Sequence, residues 1–145
     1  MRDADVSREL LLHATTVALA GVGVAIEGPS GSGKSDLALR LIDGGARLVA
    51  DDQTRVERQD GQLVASPPPA IAGLIEVRGL GIVELPYEPD VVLRLLVAPV
   101  AANDVERMPQ PESRTLLGVA LPVLRLDPFA ISACAKLRLA VAKLA

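Results

Sequence analysis

From Leu11 to Ile26 the chain is dense in Val, Thr, Ile and Ala and is broken at Ala20-Gly21, a pattern that predicts two strands, residues 11–19 and 22–27, around a tight turn. A glycine-rich stretch, Gly28 to Gly33, follows and leads into an amphipathic helix over 34–43, stopped by Gly44-Gly45 as helix C-termini commonly are. Residues 47–50 form a short apolar strand that runs directly into Asp51 and Asp52. Residues 54–58 and 62–65 flank Asp60-Gly61, a strong hairpin signal. Gly73 to Leu85 is a glycine-punctuated strand and loop region, and 91–97 is a buried strand. Residues 103–115 are polar and proline-bearing and are expected to form a surface loop. The chain closes with a helix from about Pro128, with Asp127 as its N-cap and proline at its first position. Strands, helices and hairpins in this order predict an α/β domain with a mixed sheet, one unit over residues 1–145, of which 1–10 are expected to be flexible.

Composition narrows the partners. Half of the residues are hydrophobic but only 1% are aromatic, so the core must be built from Leu, Val, Ile and Ala. A net charge of -3 leaves no basic stripe for a nucleic-acid backbone. Cys134 is the single cysteine; it excludes an internal disulfide framework and reads as an inert buried thiol. The apolar run at Leu10 to Ile26 lacks the positive flank of a signal peptide, because Asp3, Asp5 and Glu9 oppose Arg2 and Arg8, and His13, Thr15 and Thr16 interrupt it. Elsewhere Arg94 and Pro99 interrupt the longest apolar run, so no membrane span is expected and the cytoplasm is the expected compartment.

The chemistry is concentrated at Gly28-Pro29-Ser30-Gly31-Ser32-Gly33-Lys34-Ser35, which satisfies G-x-x-x-x-G-K-[ST] between a predicted strand and a predicted helix. In such a loop the glycines let backbone N–H groups turn toward phosphate oxygens, and the helix N-terminus adds about half a unit of positive charge. Lys34 would reach the terminal phosphates and the Ser35 hydroxyl would serve Mg²⁺. The plain alternative is a turn that matches by accident. The four fixed positions coincide in roughly one random chain of this length in two hundred, before strand and helix context is required.

Phosphoryl transfer also needs carboxylates, and Asp51 and Asp52 stand at a strand end, where open α/β sheets face their ligands. Adjacent strand residues point to opposite sides, so the two are expected to divide the work between acceptor and metal shell, against the plain alternative of an exposed turn. Glu76 and Arg78 share one side of a strand by alternation and would by default form a structural salt bridge. His13, the sole histidine, is by default structural. Arg107 and Arg114 lie in the polar loop, available to clamp a phosphate or to remain solvated.

Together these segments resemble the catalytic domain of the bacterial HPr kinase/phosphorylase family, which phosphorylates a serine of the phosphocarrier protein HPr. The residues that carry the resemblance are Leu12-His13, Gly28 to Ser35, Leu48-Val49-Ala50-Asp51-Asp52 and Leu74-Ile75-Glu76-Val77-Arg78-Gly79-Leu80-Gly81-Ile82, spanning about residues 11–85, with a weaker echo at Glu106-Arg107 and Leu121-Pro122-Val123. The resemblance implies an ATP- and Mg²⁺-dependent protein-serine kinase with an HPr-like substrate, and phosphorolytic dephosphorylation as a second activity. It implies Asp51 as the general base, Asp52 in the metal and phosphate network, and Ser35 and Glu76 serving Mg²⁺. His13, Arg78 and Arg107 would hold the transferred phosphate or the shape of the site. Longer members carry an N-terminal regulatory domain and are typically hexamers; almost nothing precedes His13 here, so the chain resembles a short form, and a homo-oligomer stays open. A small-molecule kinase or NTPase with the same loop, and a non-catalytic nucleotide-sensing module, are the competing readings.

Overall fold

Three two-residue turns organise the strands of the computed structural model, which describes residues 8–144. Ala20-Gly21, Asp60-Gly61 and Leu117-Gly118 all have positive φ at both positions, the geometry that matches the right-handed twist of a tight hairpin. The first joins β2 (Ala14–Leu19) to β3 (Val22–Glu27), and the second joins β5 (Thr54–Gln59) to β6 (Gln62–Ser66). The third joins β10 (Ser113–Leu116) to β11 (Val119–Leu126). The remaining strands are β1 (Glu9–Leu12), β4 (Arg47–Ala50), β7 (Leu74–Val77), β8 (Gly81–Glu84) and β9 (Val91–Pro99); the helices are α1 (Lys34–Asp43) and α2 (Ala133–Ala142).

The main sheet runs β1-β5-β6-β9-β3-β2-β4. It is mixed: β9 is parallel to β3 and to β11, and the other pairs are antiparallel. One edge of β9 follows β3, while the other is shared by β6 at Val91–Leu93 and β11 at Leu96–Pro99. β7 and β8 form a separate hairpin, with β7 against α1.

Both faces of the sheet are buried. On one face Val24, Ile26, Leu95 and Val97 pack under Leu37 and Leu41 of α1 and Leu137 and Val141 of α2. On the other, Ala14, Ala18, Ala25 and Leu96 meet Val56, Leu63 and Ala65, because the sheet curls until β5 and β6 lie across from β2 and β4. Buried hydroxyls tie that closure: Thr54 Oγ1 donates to the Ala14 carbonyl at 2.9 Å and lies 2.8 Å from Thr16 Oγ1. A bulge opposite Gly23/Val24 gives β9 one extra residue at Arg94, so Leu93 and Leu96 can face one core while Leu95 and Val97 face the other.

Several elements depart from expectation. The strand expected over 11–19 is divided: Glu9–Leu12 pairs with β5, Ala14–Leu19 pairs with β3 and β4, and His13 is the corner between them. Of residues 1–10, expected to be flexible, 1–7 lie outside the described residues, and Glu9 and Leu10 are in β1 opposite Glu57 and Val56. The polar segment ends earlier than expected, since 113–126 form β10 and β11. The last helix begins at Ala133, not Pro128. Asp127 caps only a turn, accepting the Phe129 N–H at 3.0 Å, and the Pro128 carbonyl is taken by the Arg40 guanidinium in place of a helical N–H. Among the described residues no helix is long and apolar enough to cross a membrane.

The packing of α2 makes a paired prediction. Leu137 is fully buried and Leu139 is 67% exposed on the same helix. Leu137→Ala should cost about 2–5 kcal/mol in urea unfolding, and Leu139→Ala within about 0.5 kcal/mol of nothing. Equal losses would contradict the seating of α2 described above.

Candidate active site

The end of β3 turns at Gly28, whose φ of 136 strains any L side chain and where a Cβ would also crowd Ser32 Oγ at 2.6 Å. The loop closes on α1 through Gly33, whose left-handed φ of 93 lets its carbonyl accept the Leu37 N–H at 2.9 Å. The first helical residues are therefore Lys34 and Ser35, and their side chains enter a cleft of about 540 Å³. Ser30, Gly31 and Gly33 line it from the loop, Asp36 and Leu39 from α1, and Glu76, Val77 and Arg78 from the β7–β8 hairpin.

Asp51 and Asp52 follow β4, and a tight turn places both on this same cleft. Asp52 has φ 67 and Gln53 N–H donates to the Asp51 carbonyl at 2.7 Å, so the alternation expected of strand neighbours is lost. The two carboxylates have different surroundings. Asp51 is buried at 8% exposure: its Oδ1 accepts the Ser35 hydroxyl at 2.6 Å and the Thr15 hydroxyl at 3.0 Å, and its Oδ2 accepts the Glu76 N–H at 2.9 Å. Asp52 is about half exposed, with Oδ1 2.9 Å from Lys34 Nζ and 3.1 Å from His13 Nε2, and its N–H donates to Thr15 Oγ1 at 3.0 Å. The hydrogen bond from Lys34 holds the Asp52 carboxyl below its ordinary range; burial pushes the other way, and the neighbouring Lys34 and His13 charges add to the lowering.

Of the residues singled out from the sequence, the fold brings His13, Lys34, Ser35, Asp51, Asp52, Glu76 and Arg78 to this region. Among the described residues no ion pair joins Glu76 to Arg78. Arg107 is exposed beyond the cleft lining, and Arg114 bonds the Glu27 carboxylate at the end of β3. Thr15 escaped notice because a threonine in a β run reads as a strand former. Phe129 also lines the cleft, and its isolated position in the sequence carries no motif.

The donors suit a hard cation. Mg²⁺ is generally held by one or two carboxylates together with substrate phosphates and water; the Asp51 carboxylate and the Ser35 hydroxyl bonded to it at 2.6 Å could serve such an ion, while among the described residues no three His, Cys, Asp or Glu side chains form a ready-made metal site.

A curled mixed sheet under two helices is also the architecture of a solved kinase/phosphatase. The structure of the Hpr(Ser) kinase/phosphatase from Coxiella burnetii superposes with a TM-score of 0.82 at 25% identity, covering 93% of this chain and 97% of that one. The family model for the HPr Serine kinase C-terminal domain matches residues 4–87, and the chain belongs to that family. It is 45% identical over 84 residues to the HPr kinase/phosphorylase of Clostridium tetani, covering 58% of this chain and 28% of the relative. It is 47% identical over 77 residues to that of Clostridium beijerinckii, covering 53% and 26%. The chain thus spans about a quarter of the length of these curated relatives.

The Lys34–Asp52 contact has a measurable pH signature. A carboxyl lowered in the folded state contributes stability above its unfolded value and loses it as pH falls through the lower, folded value. In Lys34→Met the Asp52 carboxyl should titrate upward, toward the ordinary 3.8, by carboxyl ¹³C NMR. An unmoved titration would mean that Lys34 does not set the charge of Asp52.

Proposed function

We propose that the chain transfers the terminal phosphoryl group of ATP to a serine hydroxyl of an HPr-like phosphocarrier protein in the cytoplasm. The observation that carries this reading is the placement of Asp52 at the mouth of the phosphate loop, against Lys34 and His13, with Asp51 locked behind it on Ser35. Loop N–H groups and Lys34 would hold the phosphates. Ser35, Asp51 and Glu76 would hold Mg²⁺, which neutralises phosphate charge when bound.

The resemblance implied Asp51 as the base; the geometry supports Asp52 instead. Both line the cleft, but Asp51 is buried with hydrogen bonds to both of its oxygens, whereas Asp52 meets Lys34 and His13 through Oδ1 and is half exposed, open to an incoming hydroxyl. Arriving phosphate would draw Lys34 away from Asp52 and leave that carboxylate to the acceptor. As the serine oxygen forms its bond to phosphorus and ADP departs, the hydroxyl proton passes to Asp52. Because phosphoryl transfer is loose, a weak base that orients the hydroxyl is sufficient. In the reverse direction inorganic phosphate would attack phosphoserine, giving pyrophosphate, and Asp52 would return the proton to the serine. His13 would position Asp52, and Arg78 would meet the transferred group from the hairpin; Arg107 would need the acceptor to bring it in.

Purified HPr with radiolabelled ATP tests the reaction, with label on the acceptor as the expected result; ATP turnover with no labelled protein would favour a hydrolase or small-molecule kinase. Asp52→Asn should lose at least about 10²-fold in transfer while ATP affinity barely changes. Asp51→Asn should raise the Mg²⁺ concentration needed for half-maximal rate. If Asp52→Asn transfers normally and Asp51→Asn does not, the assignment is reversed. Lys34→Ala should abolish turnover yet remain folded, as Asp52 is exposed enough to be solvated alone; a fully active Lys34→Ala would dismiss the phosphate-loop mechanism.

A further inference from the structure

The chain has one phenylalanine, one tyrosine and no tryptophan, so the placement of each ring is informative. Tyr87 packs on Gly73, within 3.0 Å of where a Cβ would stand. Phe129 is 68% exposed, yet it stands directly over the phosphate loop: a Cβ on Gly33 would lie 2.8 Å from its Cζ. It lines the same cleft as Ser30, Gly31 and Lys34.

The backbone that carries the ring is also held in place. The Phe129 N–H is bonded to Asp127 Oδ1, and the preceding Pro128 carbonyl accepts from Arg40, whose Nε is 3.1 Å from Asp36 Oδ2 on the same helix. An exposed apolar ring contributes little by burial, and these bonds hold the backbone that presents it at the cleft. The cleft, at about 540 Å³, is of the size that accepts a whole small molecule and not only phosphate groups. Apart from Phe129, its larger apolar lining is Leu39 and Val77, among otherwise polar or glycine positions.

We propose that Phe129 is the platform on which the base of the nucleotide donor stacks, selecting a nucleoside triphosphate over a bare polyphosphate. This rests on the phosphate-loop reading above. Every nucleobase offers a π-face, and stacking on an aromatic side chain is tolerant of base identity, so ATP and GTP should both use the ring.

The test compares donors with and without a base. Phe129→Ala should weaken ATP and GTP binding by about fivefold to a hundredfold in titration calorimetry with Mg²⁺, while affinity for inorganic pyrophosphate moves less than about twofold. Phe129→Trp should restore nucleotide affinity, and as the sole tryptophan its fluorescence should be quenched by ATP but not by pyrophosphate. Unchanged ATP binding in Phe129→Ala would overturn the proposal, as would an equal loss for pyrophosphate, which would make the ring a prop for Gly33. Loss of transfer to the acceptor protein with ATP affinity intact would overturn it too, assigning the ring to docking. Wild-type protein that binds neither ATP nor pyrophosphate would instead remove the phosphate-loop reading, a failure separate from that of the ring.

Discussion

The site depends on the carboxylate of Asp51. Buried acidic groups are costly without donors, and Asp51 receives three from three elements: the Thr15 hydroxyl on β2, the Ser35 hydroxyl on α1 and the Glu76 N–H on β7. One side chain therefore joins the sheet, the phosphate-loop helix and the separate hairpin. It fixes β7 at the mouth of the loop, alongside the packing of β7 on α1 and the Glu88 N–H that bonds the Leu48 carbonyl of β4 beyond the end of β8.

A second layer of contacts sets the charge around that tie. Thr15 serves both aspartates, donating to Asp51 and accepting the Asp52 N–H, and so spaces them. The left-handed turn at Asp52 brings its carboxylate back toward Lys34, which is itself only 4% exposed. A buried ammonium needs a counter-charge, and Asp52 supplies it in the structure described. That arrangement gives the half-exposed carboxylate a reason to sit where it does.

The curl of the sheet explains why these residues meet. Continuous β1–β2 pairing in one plane would leave His13 within a strand; the corner at His13 instead sends the chain from β5 to β3 and β4, and the buried Thr16–Thr54 contact holds the two layers together. His13 thereby reaches Asp52, a residue 39 positions away. The bulge at Arg94 does the corresponding work in the centre, letting one strand feed both cores.

What the sequence by itself determined is what a few neighbouring residues can specify. The glycine-rich turn between β3 and α1, the bounds of α1 and its glycine stop, and the Ala20-Gly21 and Asp60-Gly61 hairpins were all legible, because turn and cap chemistry is decided by φ preferences within a handful of positions. The family was legible from the same dense segment, which lies within the matched residues 4–87. The third hairpin was not, since Leu117 carries no turn signal and is held at φ 49 with its carbonyl on Arg58 from β5. Nor was the late start of α2, decided by an Arg40 bond across 88 positions of the chain. The contrast between Asp51 and Asp52 is of the same kind: two identical neighbours became a buried tie and an exposed carboxylate only when Thr15, Ser35 and Glu76 closed around one of them. Burial and hydrogen-bond partners are properties of the folded chain, and no local pattern encodes which of two adjacent carboxylates will receive them.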